Sequence, residues 1–276
     1  HLLAGTAVAI ALSATPASAQ KKYDTGATDT ETVEPTDTPA DTETPEPTDT
    51  ETVEPTRNPD VTATGTSEGC AGPDPNADEL LQPRLPVDDI LRLAAKNTVS
   101  LEDYVPPDLE QLGPDYSVRE DEAGSLRSGA AAALRKMIDA ATADGITIRL
   151  VSGYRSCETQ VVVFNNHVAN LGLAEAERQS ARPGHSEHQL GLGADISGPS
   201  VGYDLVQSFG STDEGQWLVD NAERFGFVLS YPEGEESVTG YMYEPWHWRW
   251  LGSKARAREF NQSGLTLNNW LLEQGN

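Results

Sequence analysis

Basic side chains are scarce in this 276-residue chain: 19 Lys and Arg stand against 44 Asp and Glu, a formal net charge of −25. Binding to nucleic acid is driven by Lys and Arg displacing counterions from phosphates, so so acidic a chain is poorly suited to it. The chain also lacks a basic amphipathic face that would hold it on anionic lipid. A glycine-rich phosphate loop is absent, and strands and helices do not alternate in repeated βαβ units. Cysteine is nearly absent, with only Cys70 and Cys157. In an exported protein such a lone pair forms a disulfide more readily than it binds metal.

The composition that is present changes along the chain. Leu2 to Ala14 is an apolar run of about 13 residues, shorter than the roughly 20 needed to span a bilayer. Thr15-Pro16 breaks it, and Ala17-Ser18-Ala19 follows as a small-x-small cleavage site. Residues 1–19 therefore read as a signal peptide with a truncated n-region, and the expected location is secreted or in the cell envelope. An uncleaved anchor is the alternative. Residues 20–70 hold 13 acidic residues against Lys21, Lys22 and Arg57, and Asp29–Thr56 uses only Asp, Thr, Glu, Val, Pro and Ala. Asp29 to Thr36 recurs identically as Asp49 to Thr56. With no Leu, Ile or aromatic side chain to stack, these repeats predict a disordered acidic linker rather than a solenoid.

Residues 71–276 carry all five Trp and enough apolar content for a core. From Ser125 to Ala143, Leu126, Ala130, Leu134, Met137, Ile138 and Ala141 recur at helical spacing, and Gly145 closes the segment. Ile146 to Leu150 alternates as a strand. Val161, Phe164, Val168 and Leu171 predict a second helix. A capping box from Ser211 to Glu214 predicts a third, with Trp217, Leu218, Asn221, Ala222 and Phe225 as its buried stripe. Phe227–Ser230 reads as a short strand, and Leu267, Trp270 and Leu271 as a final packing helix. The expected fold class is α+β, a small antiparallel sheet with flanking helices.

Side chains able to hold a metal concentrate in two places, His185-Ser186-Glu187-His188 through Asp195, and Glu244-Pro245-Trp246-His247. Two histidines and one carboxylate converging on a point is the pattern of catalytic zinc, which keeps a fourth position for water. Spacing alone leaves alternatives, because His185 and His188 could themselves form a ligand pair. His167 on the second helix is expected in solvent. Glu244 and His247 lie three residues apart, so in a straight strand they would face opposite ways, and aiming both at one spot requires a bend at Pro245.

Ser186-x-His188-x-x-Gly191 through Asp195, followed by Glu244-x-x-His247, resembles the motif pair of VanY-type D-alanyl-D-alanine carboxypeptidases. These are zinc peptidases of the group that includes lysostaphin-like and hedgehog-type domains. Ser152-Gly153-Tyr154-Arg155-Ser156 with Gln160, Phe225-Gly226-Phe227 with Ser230-Tyr231-Pro232, and Trp246-His247-Trp248-Arg249 are similar as well. The likeness runs from about Leu126 to Gly252. It implies a hedgehog/D-Ala-D-Ala-peptidase-like fold with Zn2+ held by His188, Asp195 and His247, Glu244 as catalytic base and no ligand role for His185. One departure is Gly193, where the family usually has Ala.

The implied activity is a zinc-dependent D,D-carboxypeptidase removing the C-terminal D-Ala from peptidoglycan stem peptides. Arg155 would bind the terminal carboxylate through its planar fork of donors, with Ser186 and Gln160 adding hydrogen bonds. Trp246 and Trp248 are expected to pack. Alternatives are an L,D-carboxypeptidase or endopeptidase on the same scaffold, or a non-catalytic wall-binding module. Expected partners are the peptidoglycan stem peptide alone, with no nucleic acid and no membrane surface beyond an uncleaved anchor, and a monomer is expected. Cys70 and Cys157, if bonded, would tie the segment after Arg155 to the N-terminal edge of the domain.

Overall fold

The computed structural model describes Cys70 and residues 81–276. The expected signal peptide (1–19) and, apart from Cys70, the expected linker (20–70) lie outside the described residues. Among those described, no helix is long and apolar enough to cross a membrane.

Two short strands, β1 (Leu109–Gln111) and β2 (Ser125–Arg127), pair antiparallel ahead of the long helix α1 (Ser128–Ala143). Then come β3 (Arg149–Ser152), α2 (Cys157–Leu171), α3 (Leu173–Gln179), β4 (Gly193–Ser197), α4 (Asp213–Asn221) and β5 (Phe227–Leu229). The chain ends with α5 (Glu236–Thr239), β6 (His247–Trp250), α6 (Lys254–Ser263) and α7 (Leu267–Glu273). The main sheet has the order β3-β4-β6-β5, with every neighbouring pair antiparallel. This is the small antiparallel sheet with flanking helices that the sequence predicts.

α1 forms where the apolar spacing places it. Ala130, Leu134, Met137, Ile138 and Ala141 are buried and belong to one core with Leu150, Ala194, Ile196 and Trp248 of the sheet. Each large aliphatic side chain removed from water in this way contributes about 1.5–3 kcal/mol. A second core gathers Val228 of β5 with Leu251, Phe260, Leu267, Trp270 and Leu271, so α6 and α7 close the other side of β5. The disulfide Cys70–Cys157 joins the described N-terminal edge to the first residue of α2, with Cα atoms 5.9 Å apart.

Local boundaries differ from the sequence reading for identifiable reasons. Ser125–Arg127 is a strand rather than the first turn of α1, because its backbone pairs with β1, although Leu126 is buried as its spacing suggests. The ladder of β3 begins at Arg149 opposite Ser197, so Ile146 to Ile148 fall before it, even though Ile148 is buried. α4 is capped by Thr212, whose hydroxyl accepts from Gly215 N at 3.1 Å, and not by Ser211. Glu214, the expected partner in the capping box, instead accepts from Ser200 Oγ at 2.7 Å. Of the four apolar positions expected to bury α2, only Phe164 is buried, and Leu171 is 45 % exposed.

Candidate metal centre

The register of the sheet brings two of the candidate ligands together. Asp195 on β4 is the cross-strand partner of His247 on β6, and Ser152 on β3 lies opposite Asp195 from the other side. Side chains of directly opposed residues project from the same face of a sheet. His188 arrives from a single 3-10 turn, Glu187–Leu190, whose first backbone N–H groups include one that donates to Ser186 Oγ. The bend expected at Pro245 is present: His247 N donates to Glu244 O at 3.0 Å, closing a turn that places both side chains at one centre.

His188 Nε2 lies 3.2 Å from Asp195 Oδ2, and His247 Nδ1 lies 3.0 Å from Asp195 Oδ1. All three residues are buried, and one ligand atom from each falls within 4.8 Å of the other two. They form the single such group among the described residues. His188 Nδ1 donates to the Gly153 carbonyl at 2.6 Å, which leaves Nε2 free to coordinate. Glycine is required at 153, since a Cβ there would stand 2.2 Å from the Ser125 carbonyl oxygen.

The donor set fits a divalent cation. Burial opposes a charge on His247, yet hydrogen bonds with Asp195 and Glu187 raise its pKa to about 10, so this centre attracts positive charge. Asp195 is held well below the usual carboxylate range: burial works against its charge, but His188 and His247 prevail. Burial lowers His188, favouring the neutral ring that can ligate. The two imidazoles approach Asp195 through different carboxylate oxygens, and two imidazole nitrogens with one carboxylate are a donor set that zinc takes.

Glu244 stands 3.8 Å from His247 Nδ1 and outside the ligand group. Burial pushes its carboxyl up to about 8, with His247 pulling the other way and Asp195 adding to the rise. A carboxylate poised near neutral pH is suited to taking up and releasing a proton. A cleft of about 230 Å3 opens over these groups, lined by Arg155, Ser186, Tyr231, Glu244 and Trp246, among others.

Arg155 reaches the centre from the turn after β3, with Nη2 3.8 Å from Asp195 Oδ2 and 3.1 Å from Ser152 Oγ. Its other nitrogen, Nη1, donates to Gln160 Oε1 at 2.8 Å. Gln160 itself is 0 % exposed, and its amide donates to Ser180 Oγ and Ala181 O at 3.0 and 2.7 Å. It lies beneath Arg155 rather than on the cleft wall. Ser186 does reach the wall. His185 is buried with Nδ1 3.3 Å from Ala95 O, away from the ligand group. His167, expected in solvent, lines the cleft instead, its Nδ1 donating to Val163 O at 2.9 Å.

Glu187 and Arg249, to which the motifs alone give no role, are both buried, and Glu187 contacts His247 directly. One signal was available for Arg249. In a strand, residues two apart share a face, so Arg249 had to accompany His247.

The D-alanyl-D-alanine carboxypeptidase family VanY matches residues 123–253. A Bacillus subtilis protein named as a carboxypeptidase, YodJ, is 42 % identical over 184 residues, which is 66 % of this chain and 67 % of that protein. The structure of the LD-carboxypeptidase LdcB superposes with a TM-score of 0.64 at 39 % identity, covering 72 % of this chain and 92 % of LdcB. The vancomycin-resistance D,D-pentapeptidase VanY from a VanB-type cassette, solved with Zn(II), superposes with a TM-score of 0.54 at 31 % identity. That match covers 66 % of this chain and 98 % of the pentapeptidase.

Proposed function

The chain belongs to the VanY family of D-alanyl-D-alanine carboxypeptidases, and from that premise we propose that it removes the C-terminal D-Ala from peptidoglycan stem peptides as a zinc D,D-carboxypeptidase. The observation that carries this reading is the pairing of a His–Asp–His ligand group with an uncoordinated, buried Glu244. In our reading His188, Asp195 and His247 hold the ion. Zinc bound there would supply Lewis acidity, lowering the pKa of water toward neutrality and polarising a carbonyl. Glu244 takes the proton from the attacking water as the new C–O bond forms. The same carboxyl then returns it to the amine as the C–N bond breaks.

Exopeptidase action follows from the position of Arg155. A guanidinium 3.8 Å from the ligand Asp195 can bind a free carboxylate only about one residue beyond a scissile carbonyl held at the centre. Ser152 and Gln160 fix its fork from behind, and Ser186 offers a hydroxyl on the wall. Glu244→Ala is expected to lower kcat by about 10²–10⁴-fold while zinc stays bound; unchanged turnover would remove Glu244 from the role of base.

LdcB gives weight to a second reading, an L,D-carboxypeptidase acting on the same stem. Purified pentapeptide and tetrapeptide stems separate the two. D-Ala released from the pentapeptide is the expected result, and release from the tetrapeptide alone would transfer the assignment. We further propose export, supported by the apolar run and the Ala17-Ser18-Ala19 site and by the disulfide. N-terminal sequencing of the mature chain should begin at Gln20, and recovery of intact Leu2–Ala14 would refute cleavage.

A further inference from the structure

Glu187 lies next to the site yet outside its ligand group. It is 2 % exposed, and both of its oxygens are engaged inside the protein. Oε2 accepts from His247 Nε2 at 3.0 Å and from Ser230 Oγ at 2.7 Å. Oε1 accepts from Arg249 Nη1 at 2.8 Å. Arg249 is itself 0 % exposed and cannot swing away, because its Nη2 donates to the carbonyls of Ile90 and Arg92, each at 2.9 Å. The carboxylate is thus anchored by a guanidinium, a hydroxyl and the imidazole at once.

That arrangement constrains the ring of His247. A carboxylate can only accept, so Nε2 carries a proton toward Glu187 and Nδ1 carries one toward Asp195. A cation at the centre would take the place of the Nδ1 proton, and the bond to Glu187 keeps the Nε2 proton, leaving Nδ1 as the ligating nitrogen. Gly193, opposite Arg249 in the β4–β6 ladder, leaves the space Glu187 needs: a Cβ there would lie 3.2 Å from Glu187 Cβ. The same short turn carries Glu187 and His188, so one segment supplies one ligand and aligns the other.

We propose that Glu187, held by Arg249 and Ser230, is the positioning residue that selects the tautomer and ring plane of His247 for binding the divalent cation. The inference rests on the reading of His188, Asp195 and His247 as the metal site. A role limited to neutralising Arg249 would engage only Oε1.

Glu187→Gln separates the two roles. Glutamine has one carbonyl oxygen for donors arriving on both sides; if that oxygen stays on Arg249, its NH2 meets His247 Nε2 and favours the wrong tautomer. Zinc affinity, measured on the full chain by competition with a chromophoric chelator, is expected to fall about 10–100-fold. An affinity within about threefold of the parent's would overturn the proposal. Should the variant fail to fold, the unaltered protein decides by long-range 1H–15N NMR in the zinc-loaded state. A protonated, slowly exchanging His247 Nε2 is expected, and an unprotonated Nε2 overturns the proposal. An unaltered chain that binds no zinc would overturn the metal site together with this inference, whereas intact binding with an unaffected Glu187→Gln variant would overturn the inference alone.

Discussion

His188 and His247 face one centre, yet the chain fastens them by different means. The ring of His188 is tied by Nδ1 to a backbone carbonyl, that of Gly153. The ring of His247 is tied by Nε2 to a side-chain carboxylate braced by Arg249 and Ser230. A backbone acceptor is set by the path of the chain and survives most substitutions. A side-chain acceptor adds negative charge behind the ligand and strengthens it, but one substitution can remove it. The His188 side of the site therefore depends on the fold, and the His247 side on a buried polar network.

The largest stability effect should leave both fastenings intact. Replacing Cys70 and Cys157 together by Ser frees the start of α2, and thermal unfolding should report a loss of about 2–5 kcal/mol. Zinc affinity should stay within a few-fold, since neither histidine is touched. A drop as large as that expected for Glu187→Gln would erase the contrast between the two sides.

Gly153→Ala attacks the backbone fastening. Its Cβ would meet the Ser125 oxygen at 2.2 Å, so the turn after β3 must move. A loss of about 1–3 kcal/mol is expected from such overpacking, accompanied by weaker zinc binding because the carbonyl moves with the turn. Stability and affinity both equal to the parent's would show that His188 does not depend on that carbonyl.

Gly193→Ala is the mildest probe. The added methyl asks Glu187 to yield by a few tenths of an ångström, which should cost less than about 1.5 kcal/mol and change zinc affinity by less than threefold. A tenfold loss in chelator competition would mean that the network behind His247 tolerates no displacement at all.

Much of the site was legible in the sequence because its chemistry sits in two short motifs. The bend between Glu244 and His247 followed from strand periodicity and Pro245, and the turn is there. α1 was legible because its apolar spacing is long and regular. α3 and α6 were not anticipated, since each is short or strongly charged and is held by what it packs against. Gln160 read as a substrate contact because it accompanies Arg155 in the motif that resembles the family. The packing of α2 against the chain at Ser180 and Ala181 decides that its amide faces inward.

The sequence by itself determined which groups are available here: two imidazoles and a carboxyl group able to give up protons, a second carboxyl, and a guanidinium. Side-chain identity is a local property and needs no neighbours to be read. Only the tertiary structure decided which nitrogen of His247 faces the centre and which carboxylate lies behind it. That choice depends on Glu187 meeting His247 across 60 positions of chain and Arg249 across 62, a proximity created by the register of β4 on β6 and by the 3-10 turn that leads into it.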